Sequence, residues 1–156
     1  MWSKVVRNSR GHGGIELCCV AIMLVIVTVL ALDIGLIVTA CNTNDRACRD
    51  AARAAAQGAD YATALRLAQA ACASHKMQGS NIFQQPTLDA ASFNYVDFGG
   101  SPPPNTSPYV DVTTSMQVKV AAPIWYAGAQ FNPNNGTLTL MKKYTFPIVK
   151  TTLYLN

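Results

Sequence analysis

The chemistry open to this chain begins with one carboxylate. Glu16 stands at the mouth of an apolar run in which Leu17 to Leu32 carries no charged side chain. A carboxylate at the lip of such a segment is costly unless it is paired, hydrogen-bonded or protonated. The residues before it read Arg10-Gly11-His12-Gly13-Gly14-Ile15, a basic tail followed by a glycine-rich junction. This constellation suits ion pairing at a helix end, not the making or breaking of bonds.

Five cysteines are the other reactive side chains. Cys18 and Cys19 lie in the apolar run, where a thiol behaves as a small apolar group. Cys41, Cys48 and Cys72 follow it and would face an oxidising compartment if exported, where disulfides persist. Three is an odd number, so at least one stays free or pairs between chains. Cys41 and Cys48 on one helix would stand ~10 Å apart along its axis, too far for a bond. Cys48 with Cys72 is the candidate disulfide, and it works only if the chain turns back between them.

Catalytic patterns are missing. The chain has no nucleophile elbow, phosphate loop or metal-spaced cluster. His12 and His75 have no triad context, and no CxxC or paired histidine offers a metal site. Asp97 and Asp111 read as solvated strand positions. The expectation is therefore no enzyme, no cofactor, no metal and no small-molecule substrate. A net charge of +4, with basic residues scattered among acids, argues against a nucleic-acid partner.

The elements that place these residues follow from hydropathy and turn chemistry. Between Ile15 and Ala40 only Glu16 and Asp33 are charged. Leu17 to Thr39 meets the roughly 20 apolar residues that a bilayer span requires. Lys4, Arg7 and Arg10 precede the span and none follows immediately, which places the N-terminus in the cytoplasm. A cleaved signal peptide is the rival reading. Its apolar core would be only ~7–15 residues long, and Val38-Thr39-Ala40 is a modest cleavage match. Asp33 lies ~25 Å beyond Glu16 along a helix, near the far face of the hydrocarbon layer. Gly35 beside it would permit close helix packing.

Four zones result: a basic leader over 1–11, a transmembrane helix over 12–40, an alanine-rich helical region over 41–80, and an exported β-rich domain over 81–156. Asn42, Thr43 and Asn44 are good N-cap types for the alanine-rich helix. Asp50 and Arg46, four apart, would support one another on its surface. The helix could run unbroken from Ile15 to Lys76 or break near Asn42 or Gly58, and it should stop between His75 and Gly79. Ser92 to Phe98 alternates as a strand before Gly99-Gly100. Tyr109 to Val120 is the best strand, with Val110, Val112, Met116, Val118 and Val120 on one face. Asn135-Gly136 is a hairpin cue ahead of strands over Thr137–Phe146 and Ile148–Leu155, with Pro147 marking an edge or bulge. The fold class expected is α+β: a long N-terminal transmembrane helix with an alanine-rich continuation, then a small antiparallel sheet.

Arg10-Gly11, Ile15-Glu16, the apolar helix, Leu32-Asp33-Ile34-Gly35 and the run Asp50-Ala51-Ala52-Arg53-Ala54-Ala55-Ala56 together resemble the prepilin pattern. More narrowly, the stretch from Ser9 to Gln78 is similar to the TadE-like and TadG-like minor pilins, or pseudopilins, of tight-adherence (Flp-type) pilus systems. The resemblance implies cutting by a prepilin peptidase between Gly11 and His12. It implies that the Glu16 carboxylate meets the freed amine of a neighbouring subunit. The partners implied are the lipid bilayer, that peptidase and other pilin or assembly subunits. The location implied is the inner membrane, single-pass, with the C-terminal domain periplasmic or on the cell surface. The function expected is a structural minor pilin-like protein in pilus assembly. The alternative is an anchored, exported binding domain that never enters a filament.

Overall fold

The computed structural model describes residues 12–75, 81–120, 125–126, 129–130 and 136–148. Two helices come first: α1 (His12–Ala55) and α2 (Tyr61–Ser74). Six strands follow: β1 (Thr87–Leu88), β2 (Asn94–Val96), β3 (Tyr109–Lys119), β4 (Trp125–Tyr126), β5 (Ala129–Gln130) and β6 (Thr137–Pro147). The arrangement is the expected α+β one, a long apolar helix followed by a small antiparallel sheet.

At Asn42–Asn44 the structure corrects the expected helix start. α1 runs through these residues without a break. Asn44 is fully buried and cannot cap, because its amide is bonded to the sheet. Its Nδ2 donates to the Leu140 carbonyl at 3.1 Å, and its Oδ1 accepts from the Thr114 hydroxyl at 2.9 Å. Thr43 meanwhile donates its hydroxyl to the Thr39 carbonyl one turn back, at 2.9 Å. Asn44, which favours a cap in isolation, is held in the helix interior by partners far along the chain, while Thr43 bonds within the helix itself.

The break falls instead around Gly58. A Cβ built there would lie 2.6 Å from the Ala64 backbone, so only glycine lets the turn close this tightly. The Gly58 carbonyl also accepts from the Tyr95 hydroxyl at 2.9 Å, which ties the turn to β2. Asp60 then caps α2 by accepting from the Thr63 amide at 3.2 Å. Beyond α2, His75 Nε2 meets Asp50 Oδ2 at 2.9 Å, so the chain after the turn runs back along α1. α2 ends at Ser74 with His75 as its C-cap, at the near end of the stretch expected to hold the stop; Lys76 to Gly79 lie outside the described residues.

β3 is the centre of the main sheet. It pairs with β6 along its whole length, from Tyr109 opposite Pro147 to Lys119 opposite Thr137. Its other edge is shared: β1 covers Thr114 and Ser115, and β2 covers Tyr109 to Asp111. β3 buries Val110, Val112, Met116 and Val118 on the face that the sequence predicts, with Thr114 beside them, while Thr113 on the other face is buried as well. Both helices pack against this sheet. Ala47, Cys48, Ala51, Ala52 and Ala55 of α1 and Ala64, Ala68 and Cys72 of α2 share one core cluster with Val110 and Val112. A second cluster joins Ala40 to Met116, Val118 and Val120, with Leu36 and Ile37 against it. Small side chains on both helices let the backbones approach the sheet closely, and burial of the valines and methionine supplies the driving force.

Two strand boundaries differ from the expected ones. The Ser92–Phe98 stretch is a strand only over Asn94–Val96, then a 3₁₀ turn over Phe98–Gly100. Asp97 ends the ladder by accepting from the Gly100 amide at 3.0 Å. Pro147 is the last residue of β6, and the expected strand after it lies outside the described residues beyond Ile148. Gly136, with φ of 76°, turns the chain into β6, and its carbonyl accepts from the Val120 amide at 2.7 Å. Asn135, its expected turn partner, lies outside the described residues.

Replacing Asn44 with Ala is expected to strand both the Thr114 hydroxyl and the Leu140 carbonyl in the core. The loss should be about 1–3 kcal/mol. Thermal denaturation of the detergent-solubilised variant, followed by circular dichroism, would measure it; an unchanged midpoint would contradict the assigned role.

Candidate functional site

α1 has two surfaces in succession. From Gly13 to Leu32 no residue is buried, and its leucines, valines and isoleucines project outward. Leu17 is 72% exposed and Leu24 64% exposed. That apolar surface has no cover among the described residues, and soluble monomers rarely leave so continuous a patch open. Twenty residues of helix rise about 30 Å, the thickness of a bilayer's hydrocarbon core. α1 thus carries a segment long and apolar enough to cross a membrane.

Polar residues in this segment are few and locally satisfied. Thr28 donates its hydroxyl to the carbonyl four residues back at 2.8 Å, and Thr39, just past the segment, does the same at 2.8 Å. That habit keeps a hydroxyl compatible with apolar surroundings. Cys18 and Cys19 are exposed thiols on the same surface. Glu16 is exposed near the start of the rod, immediately before the uninterrupted apolar stretch. Gly11 lies outside the described residues, and the side chain of His12 is likewise not described.

The rod ends at Asp33. This carboxylate is only 1% exposed, between Leu32 and Ile34, which both remain open. It is the first buried residue of α1 among the described residues. Leu36 and Ile37 come next, packed on the Met116–Val118–Val120 cluster. The acid expected at the far boundary of a span therefore stands where the folded domain begins to cover the helix. Gly35 faces open space within 4 Å, so nothing within the described chain packs against it.

Beyond Asp33, one side of α1 meets β6 through a charged cluster that sequence reading missed. Arg49 pairs with Asp45 at 2.6 Å, and its Nε donates to the Tyr144 hydroxyl at 2.8 Å. The Tyr144 hydroxyl in turn donates to Asp45 Oδ1 at 3.0 Å, and Lys142 approaches the same oxygen at 3.8 Å. The Tyr144 hydroxyl raises the Arg49 pKa first, with Asp45 adding to it. The i,i+4 spacing of Asp45 and Arg49 was visible in the sequence, but the tyrosine lies 95 residues further on. Asp50 meets Arg53 at 3.8 Å and His75 at 2.9 Å rather than Arg46 among the described residues. His75, which has no evident partner in the sequence, is thus bonded across the helix turn.

The cysteines of the folded domain are thiols in this structure. Cys48 lies within 3.4 Å of the Val112 carbonyl and 3.3 Å of the Lys142 carbonyl, while Cys72 donates to the Pro86 carbonyl at 3.3 Å. Burial pushes both thiols up, Cys72 to about 11, with neighbouring Cys48 adding to the shift at Cys72. Cys41 is half-buried. Among the described residues no three His, Cys, Asp or Glu side chains are grouped so as to hold a metal ion.

On the outer face of the sheet, Asp111 is not simply solvated. It accepts from the Thr145 hydroxyl at 2.5 Å and pairs with Lys143 at 3.0 Å.

The chain matches no protein-family model, no curated protein and no solved structure.

Partial burial raises the Asp111 carboxyl, but Thr145 and Lys143 outweigh it and hold the group below its ordinary range. A lowered carboxylate contributes stability above its unfolded value of about 3.9, and that contribution disappears as pH falls through the folded value. Asp111→Asn should therefore cost stability at pH 7 and flatten the decline on acidification below about pH 4. Denaturant titrations across that range would show it. A variant with the same acid limb as the parent would exclude Asp111 from that limb.

Proposed function

We propose that this chain is a structural, minor pilin-like (TadE-like) membrane protein that takes part in assembling a surface pilus. The observation that carries the reading is the continuity of α1. An uncovered apolar rod over Gly13–Leu32 passes without a break into a helix that forms the core of the folded domain. A discarded export tag has no need of that continuity. A cut after Ala40 would strip Leu36, Ile37 and Ala40 from the second core cluster, so the fold favours a rod kept in the finished molecule.

In this reading the basic leader stays in the cytoplasm, the rod sits in the inner membrane, and the α+β domain faces the periplasm or cell surface. A prepilin peptidase cuts between Gly11 and His12. The amine freed on His12 of one subunit then becomes the partner for Glu16 of the next. A carboxylate in apolar surroundings needs such a counter-charge, and the pair would favour one helix register over slipped ones. Helices packed side by side in this way would shield the apolar surface that a single chain leaves open.

Intact mass of the detergent-extracted protein tests the reading. A mature N-terminus at His12 is expected. An uncut Met1 terminus would point to an anchored binding domain outside any filament, and a start near Cys41 would mean the rod is a discarded tag. Gly11→Trp should leave the full-length mass uncut. Glu16→Ala should leave the mature mass unchanged but reduce recovery of sheared filaments about tenfold or more, the scale of losing roughly 1.4 kcal/mol at a contact.

A further inference from the structure

α1 and α2 form a hairpin whose seam is made almost wholly of alanine. Stepping away from the turn one helical turn at a time, α1 presents Ala55, then Ala51 and Ala52, then Cys48. The same steps along α2 give Ala64, Ala68 and Cys72. Each of these residues is buried to 2% exposure or less, and all belong to one cluster. Two independent contacts fix the antiparallel direction of the hairpin: Gly58 closes on Ala64 at the turn, and His75 reaches back to Asp50 from beyond the end of α2. Cys48 and Cys72 therefore both lie toward the end of the hairpin away from the turn, in one cluster, with Cys48 near enough to add to the shift at Cys72.

Alanine seams matter here because they bring helices close. Helix axes approach to about 8 Å where contact side chains are small. A disulfide needs Cα atoms within roughly 4.4–6.8 Å, a span that only such close packing supplies between helices. Larger residues at Ala51, Ala52 or Ala68 would hold the two sulfurs apart.

We infer that Cys48 and Cys72 form an intramolecular disulfide that ties α1 to α2 across the alanine seam. The pairing rests on the fold alone; its presence in the cell also rests on the exported placement of the domain proposed above. The oxidant is an external disulfide, such as oxidised glutathione or the active disulfide of a thiol oxidoreductase. One cysteine thiolate attacks it, forms a mixed disulfide and releases one thiol. The second cysteine thiolate then attacks the mixed disulfide, releasing the other thiol. Two thiol protons are given up, and two electrons pass to the external disulfide. Burial keeps both thiols protonated in the closed core, so exchange is slow there and the bond forms while the seam is still open. In the bonded form Cys48 leaves the carbonyls of Val112 and Lys142, and Cys72 leaves that of Pro86.

Tryptic mapping tests the pairing cleanly, because cuts at Arg46, Arg49, Arg66 and Lys76 isolate Cys48 in Ala47–Arg49 and Cys72 in Leu67–Lys76. Full-length protein in detergent is reduced, unfolded, refolded in a glutathione redox buffer and quenched with N-ethylmaleimide. A reductant-sensitive species joining the two peptides in most molecules is expected, and Cys41→Ser should leave it in place. Maleimide or glutathione on both Cys48 and Cys72, or bridges running through Cys41, would overturn the pairing. A second arm quenches living cells before extraction. The bridge formed on refolding but missing from cells would uphold the pairing and count against export of the domain.

Discussion

A single helix that must satisfy two surroundings is the constraint on which the rest of the structure depends. For its first twenty described residues after His12, α1 offers apolar side chains on every side. A helix apolar all round is stable only in an apolar medium or among other apolar helices. Past Asp33 the same helix must bury one stripe on a sheet and leave the other in water. The change of partner takes place within about one turn, where buried Asp33 gives way to Leu36 and Ile37 on the sheet. Because the backbone does not break there, the orientation of the rod and of the domain are one property, not two.

What holds the domain half of α1 in place is partly polar. Asn44 bridges Thr114 of β3 and the Leu140 carbonyl of β6, two adjacent strands. Such a buried bridge contributes modestly when made but costs more when half of it is lost, so it favours one rotation of the helix over the sheet. On the flank, Asp45, Arg49 and Tyr144 repeat the tie between α1 and β6 at the surface. Exposed ion pairs of this kind are worth little singly, but here a tyrosine hydroxyl joins them into a network.

The alanine content serves two ends. Alanine favours the helical state, which suits a helix of 44 residues. It also gives α2 and the sheet room to approach. The core of the domain is therefore thin and closely drawn, and its large side chains come mainly from β3. This explains why one glycine at the turn and two cysteines at the seam's end acquire structural weight out of proportion to their size.

Much of the architecture was legible in the residues alone, for a physical reason. Periodicity and hydropathy are local, so the apolar span, the alanine-rich helix and the alternation of β3 could be read directly. Glu16 and Asp33 stood out as charges bracketing an apolar run, and the structure places Asp33 where the covering of the helix begins. The turn at Gly58 was one of two breaks that the sequence allowed, and only the close approach of Ala64 selects it. Asn44 looked like a cap and proved to be a core residue, because its partners lie 70 and 96 residues away. The partnership of Arg49 with Tyr144 and of His75 with Asp50 was hidden for the same reason. Composition along the chain determined which segments are helix, strand or apolar span; the folding back of distant segments decided which polar groups face one another, since hydrogen bonds and ion pairs depend on distance in space and leave no periodic trace in the chain.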